Sequence, residues 1–239
     1  MTQPLFLDDP YLRDAPAVVK ALTEEGGIIL DRSVFYPTSG GQPGDSGWLN
    51  WDGQSMPVAT AIRGQGDDII LVPSEAMALP PLGAHVTQVL DWDRRHRHMR
   101  LHTALHLLTA VIPYPVTGGQ ISVTQGRIDF DMPDMTQDRE AINAALNAFV
   151  SEDLVISDGW ITGAELEANP HLVKTMAVQP PRGAERIRLV RIGAPGGPID
   201  LQPCGGTHVA RTGEIGALRL GRIEKQGRQN RRIHLHLES

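Results

Sequence analysis

A chain of 239 residues has room for one large domain or two modest ones, and 41% apolar content supports packed cores and excludes global disorder. A net charge of -6 excludes a protein that coats nucleic acid over its whole surface, while leaving room for a local basic patch. The lone cysteine, Cys204, excludes an internal disulfide.

The first residues carry acids and lack an apolar signal core, and no apolar run approaches the roughly 20 residues of a membrane span. The expectation is a soluble cytoplasmic protein. Residues 1–60 read as β-rich, with short apolar strands at Gly27–Leu30 and Ser33–Tyr36. Between Pro37 and Gly47, four glycines and two prolines exclude a helix and predict successive tight turns. This loop lacks the spacing and the Lys-Ser/Thr ending of a phosphate-binding loop, so no nucleotide cofactor is expected there. Pro57–Ile62 and His85–Leu90 continue the short-strand pattern, which predicts a small β-barrel domain over residues 1–92.

At Asp91 the pattern changes. Leu101, Leu105 and Leu108 recur at helical spacing behind a basic run, with Asp93 as the expected N-cap and a stop before Pro113. Strand character returns between Gln120 and Asp131. Residues 138–153 predict an amphipathic helix burying Ile142, Leu146, Phe149 and Val150, and Ala164–Asn169 predicts a short helix ahead of Pro170. Ile187–Ile192 alternates as a strand, and two more strands follow Ile215. Helices and strands mix without βαβ regularity, so residues 93–239 form an α+β domain.

Two short motifs carry chemistry. His102 and His106 lie four apart, on one face of a helix, and can chelate one ion. The glutamate of a helical zinc peptidase motif is missing between them, which disfavours peptidase chemistry. His98 and His102 form an alternative pair, but His98 sits among arginines on what reads as an exposed turn, whereas His102 and His106 sit among leucines. Cys204 and His208 also lie four apart, and Pro203 with two glycines makes them converge through a turn. Together the two pairs are a zinc-type ligand set, with a Cys/His catalytic dyad as the competing reading. His234 and His236 alternate on a terminal strand and read as a half-exposed face.

Between Arg219 and Arg232 six cations (Arg219, Arg222, Lys225, Arg228, Arg231, Arg232) face one acid, Glu224. Beside a metal site this reversal of charge points to an anionic partner such as a phosphate backbone, with Arg94, Arg95, Arg97 and Arg100 as a possible extension. With 5% aromatic residues, backbone and shape recognition is expected over extensive base stacking.

Four blocks then match one family in its order: Phe35-Tyr36-Pro37 with Gly40-Gly41-Gln42-Pro43 and Asp45; His102 to Leu108; Cys204 to Val209; and Ile223-Glu224-Lys225 through Ile233. The chain resembles the free-standing alanyl-tRNA editing proteins, AlaX, of the medium-length type, which are similar to the editing domain of alanyl-tRNA synthetase. The resemblance implies an N-terminal β-barrel before a two-layer α/β editing domain. It implies zinc held by His102, His106, Cys204 and His208, and hydrolysis of the ester in mischarged tRNA(Ala), chiefly seryl-tRNA(Ala) and also glycyl-tRNA(Ala). Two positions depart from the family pattern: Ser39 replaces the first of three glycines, and Ser33 replaces a threonine, keeping its hydroxyl but not its methyl.

Sparing alanyl-tRNA while cleaving seryl-tRNA requires a pocket that hydrogen-bonds the substrate hydroxyl, because such a site leaves its own polar groups unpaired with the wrong substrate. Ser33, Gln42 and Thr103 are the candidates for that task, and Asp200 is the candidate to hold a ligating histidine from behind. Two other readings are kept: a non-catalytic RNA-binding module with structural zinc, and a zinc hydrolase of small esters or amides.

Overall fold

The computed structural model describes residues 1–133, 138–176 and 185–238. The chain divides into two compact units, Met1–His98 and Met99–Ser239. None of the helices among the described residues is long and apolar enough to cross a membrane.

In the first unit six strands close into a barrel: β1 (Asp14–Leu22), β2 (Ile28–Leu30), β3 (Gly47–Trp51), β4 (Gln54–Arg63), β5 (Ile69–Pro73) and β6 (His85–Leu90), in the order β1-β2-β5-β4-β3-β6. Every pairing in it is antiparallel, so closure leaves no bare edge. Alternation sends Ile28, Leu30, Leu49, Met56 and Leu71 fully inside. Val34, Phe35 and Tyr36 join this core although only Arg32–Ser33 of that stretch is strand.

The Gly-rich loop is a set of tight turns packed onto β4. Ser39 and Gln42 exchange backbone hydrogen bonds of 3.1 and 2.9 Å around Gly40 and Gly41, whose φ values of 55° and 84° are those of a two-residue hairpin turn open to glycine. A Cβ on Gly44 would lie 2.0 Å from the Ala61 carbonyl oxygen, so only glycine fits there.

The loop ends on Asp45, which is buried against the fully buried Arg95. Arg95 Nε donates to both Asp45 oxygens at 3.0 and 2.9 Å, and its amino groups reach the Pro10 and Val34 carbonyls. Asp45 also accepts from the Tyr36 backbone N–H at 2.6 Å. Arg95 is thus an internal strut, not part of a phosphate-binding surface. Arg94 is likewise engaged, donating to the Gly44 carbonyl at 2.6 Å, while Arg97 is exposed.

Helix α1 (Trp92–Val111) starts earlier than Asp93 predicts. Asp91 caps it, accepting from the Arg94 N–H at 3.2 Å, and Arg95 N–H closes the first turn onto the Asp91 carbonyl. The boundary between the units falls inside this helix.

His98, expected on an exposed turn, is fully buried, and neither ring nitrogen has a hydrogen-bond partner among the described residues. Burial, followed by the Arg94 charge, lowers its pKa from 6.5 to about 4. A folded pKa below the unfolded one means that the unfolded chain takes up the proton first as pH falls. Stability present above pH 6.5 should therefore drain away between there and about pH 4, by about 3 kcal/mol. Denaturant titrations across that window should show the slope in the native protein and a shallower one in His98→Leu; parallel slopes would contradict the assignment.

The second unit holds β7 (Val116–Ile121), β8 (Gln125–Asp131), α2 (Arg139–Ser151), β9 (Ile156–Ile161), α3 (Gly163–Ala168), β10 (Ile187–Ile192), β11 (Asp200–Pro203), β12 (Leu218–Lys225) and β13 (Asn230–Leu237). They form a four-stranded sheet, β12-β13-β8-β7, and a three-stranded one, β9-β10-β11. Leu105 of α1 lies over Gly126 of β8, where a Cβ would come within 3.0 Å of its side chain. Helix α2 buries Ile142, Leu146 and Val150, while Phe149 stays half-buried. Its Asn147 satisfies both the N–H and the carbonyl of Leu218, and Asn143 takes the Leu220 N–H, which covers the edge strand β12. The architecture is α+β.

Candidate metal centre

The helical spacing of α1 places His102 and His106 one turn apart on a buried face, with ring centroids 5.2 Å apart. Cys204 follows β11 directly, and its backbone N–H bonds the Arg188 carbonyl at 3.1 Å. Arg188 then holds the glycine turn from outside. Its Nη1 donates to the Cys204 and Gly206 carbonyls at 3.2 and 2.9 Å, and its Nε pairs with Asp158. Fixed this way, the turn brings His208 back to within 3.2 Å (Nε2 to Sγ) of Cys204, while His102 Nε2 lies 3.5 Å from the same sulfur.

One donor atom from each of His102, His106, Cys204 and His208 lies within 4.8 Å of the other three. Zn–N and Zn–S bonds of about 2.0 and 2.3 Å put tetrahedral ligand edges at roughly 3.3–3.6 Å. The Cys204–His102 distance of 3.5 Å falls in that range and the Cys204–His208 distance of 3.2 Å just below it, so this donor set fits a zinc ion.

The residues behind the ligands aim them. The Thr103 hydroxyl donates to the Met99 carbonyl at 2.9 Å, so it can only accept from His208 Nδ1, at 3.1 Å, and from the Val209 N–H, at 3.3 Å. That arrangement puts the His208 proton on Nδ1 and leaves Nε2 as a lone pair facing Cys204. Thr103, expected to sense a substrate hydroxyl, has no bonding capacity left for one. Its bond to Nδ1 is suited to orienting the His208 ring. Thr103→Val should weaken zinc binding by about 10–100-fold in a chelator competition, with Thr103→Ser close to the native protein. Equal affinity in the valine variant would contradict this role.

Asp200 is the counterpart for His106. Its Oδ2 accepts from His106 Nδ1 at 2.8 Å and from Gln202 Nε2 at 2.8 Å, and Lys174 Nζ binds Oδ1 at 2.5 Å. Burial works against the Asp200 charge, but His106 and Lys174 outweigh it and lower its pKa to about 2. Burial also works against the His106 charge, and its bonds to Asp200 and Cys204 reverse that, raising it to about 9. Burial and the His102 charge push His208 down to about 3. The Cys204 thiol is desolvated, yet His102 and His208 hold it well below its ordinary value. The cluster therefore favours a thiolate, the form a metal requires.

Gln202, Lys174 and Arg188 escape the sequence reading. Gln202 had a signal, since Asp200 and Gln202 alternate on one face of the strand that leads directly into Cys204. Lys174 lies outside any helix or strand and Arg188 is one of two arginines in an alternating strand, so neither stands out.

Ser33 and Gln42 lie in the first unit, both buried. The Ser33 hydroxyl accepts from the Phe35 N–H at 3.1 Å, a bond within its own turn.

The basic hairpin is split. Arg231 is buried and donates to the Gly227, Asn230 and Pro133 carbonyls. Arg232 makes a two-pronged bond to Asp129 at 2.8 and 2.9 Å. Arg222 pairs with Glu224, and Arg219 lies 3.8 Å from Glu238. Lys225 and Arg228, at the turn, are exposed and form no ion pair among the described residues. His234, expected on a half-exposed face, is buried, 3.4 Å from Glu224.

Residues 187–234 match the family described as threonyl and alanyl tRNA synthetase second additional domain, and residues 13–94 match tRNA synthetases class II (A). An alanyl-tRNA editing protein AlaX-M of Methanosarcina acetivorans is 33% identical over 99% of this chain and 99% of its own length. The protein of the same name from Saccharolobus solfataricus is 34% identical over 98% of each chain. An alanine–tRNA ligase of Pyrobaculum aerophilum is 32% identical over 94% of this chain but only 25% of the ligase. Similarity at this level over the full length of its relatives shows that the chain belongs to the AlaX-M family of alanyl-tRNA editing proteins.

Proposed function

We propose that this protein is a trans-acting deacylase that clears mischarged tRNA(Ala), chiefly of serine and also of glycine, through a zinc centre made by His102, His106, Cys204 and His208. The carrying observation is that all four donors converge within 4.8 Å, with His106 and His208 each engaged through Nδ1 from behind. The reaction adds water across the aminoacyl ester: the acyl–oxygen bond breaks, the amino acid leaves as its carboxylate, and the terminal ribose recovers its hydroxyl. When bound, zinc supplies Lewis acidity, polarising the ester carbonyl or lowering the pKa of water. Asp200, Gln202 and Lys174 fix the His106 ring, and Thr103 fixes the His208 ring. Arg188 keeps the Cys204 turn closed.

On the motif alone, preference for a hydroxylated amino acid is assigned to Ser33 and Gln42. The exposed Lys225 and Arg228 are the cations of the hairpin best suited to contact tRNA phosphates, with Arg219 and Arg222 at its flank. Residues 1–92 are assigned as the barrel domain and 93–239 as the editing domain. Four protein ligands also describe a closed structural site, which favours an RNA-binding module as the second reading.

Incubation with seryl-, glycyl- and alanyl-tRNA(Ala) separates these readings. The proposal expects ester loss fastest with serine and slowest with alanine. Tight tRNA binding with all three esters intact would assign the zinc a purely structural part.

A further inference from the structure

In the second unit, Trp160 stands on β9, the edge strand of the three-stranded sheet, with 44% of its surface exposed. The exposed Arg186 lies over its ring, with Cζ 4.7 Å from the centroid. A guanidinium stacked on an indole makes a planar, cationic surface of the kind on which nucleobases stack.

The register connects this surface to the metal centre. Trp160 pairs with Arg188 of β10, and Arg188 lies beside Cys204, to whose N–H its carbonyl is bonded. Trp160, Arg188 and Cys204 therefore form a row across the sheet, and the two interstrand steps span roughly 10 Å. Directly paired residues share a face. Stacked nucleotides rise about 3.4 Å each, so this is the reach of the last few unpaired nucleotides of an RNA strand whose ester end lies at the cluster.

We propose that Trp160 with Arg186 is a stacking site for a base in the unpaired acceptor end of tRNA, setting the distance between that base and the ester. This rests on the proposed function for the identity of the RNA, but not on hydrolysis. Arg188 joins the two ends, since the side chain that pairs with Asp158 on β9 also holds the Cys204 turn. The site is a second mode of contact, a planar stack, beside the phosphate contacts proposed for Lys225 and Arg228.

The test titrates the zinc-loaded protein with uncharged tRNA(Ala) transcripts, either intact or lacking the unpaired 3′ nucleotides, and reads the dissociation constant at two salt concentrations. Trp160→Ala should weaken binding of the intact transcript by about 5–150-fold, the range for losing one base–aromatic stack. Trp160→Phe should recover most of that loss, and the truncated transcript should bind native and Trp160→Ala protein alike. Unchanged circular dichroism and zinc content in both variants keep the comparison free of misfolding. The proposal is overturned if Trp160→Ala binds the intact transcript as the native protein does, if the loss is the same with the truncated transcript, or if the native protein binds neither. Because the RNA carries no ester, a failed deacylation assay leaves these outcomes readable.

Discussion

Asp45→Ala is expected to destabilise the barrel unit by about 3–5 kcal/mol, the cost of stripping one partner from a buried ion pair. The guanidinium of Arg95 is fully buried, and Asp45 is its counter-charge. Without the carboxylate, that charge stays in a low-dielectric interior with two backbone carbonyls as its remaining acceptors, from Pro10 and Val34. The Tyr36 N–H also loses its acceptor. The double variant Asp45→Leu with Arg95→Met should recover much of the loss, because replacing a buried pair by apolar groups is often close to neutral. Chemical denaturation measures both, and a loss below about 1 kcal/mol in the single variant would show that the pair is not the strut described.

His106→Ala is expected to reduce deacylation of seryl-tRNA(Ala) by more than about 100-fold, together with loss of bound zinc. Removing a partner behind a ligand already costs about 10–100-fold, and removing the ligand itself should cost more. The alanine also strands Asp200, whose buried carboxylate keeps Lys174 and Gln202 but loses the imidazole. His98→Ala, one turn before His102 on the same helix, should retain its zinc. If the two variants lost zinc equally, the choice of His102 and His106 over His98 and His102 would be wrong.

The sequence already displayed the parts governed by local rules. Period-two alternation and turn residues marked His85–Leu90 and Ile187–Ile192 at their observed limits. The spacing of four in α1 and the Pro-Gly-Gly turn were enough to pair the donors. What it hid was set by distant partners. The run from Arg94 to Arg100 reads as one solvated basic face. Helical geometry instead turns Arg95 and His98, three apart, inward and leaves Arg97 outside. Asp45, the partner that makes burial of Arg95 tolerable, is fifty positions away. Arg232 reads as a phosphate contact for the same reason, since Asp129 meets it only through pairing of β8 with β13. Thr103 reads as an available hydroxyl on a helix near a ligand, but the structure commits that hydroxyl to Met99, His208 and Val209, none of them near in sequence except Met99.

Deacylation is expected to depend on a zinc ion held by His102, His106, Cys204 and His208. The most direct test strips the protein with a chelator, verifies the metal content, and follows single-turnover hydrolysis of seryl-tRNA(Ala) before and after one equivalent of zinc is returned. The stripped protein should still bind tRNA, lose ester cleavage, and regain it in proportion to the zinc restored. Cleavage at an undiminished rate by the stripped protein would contradict that dependence.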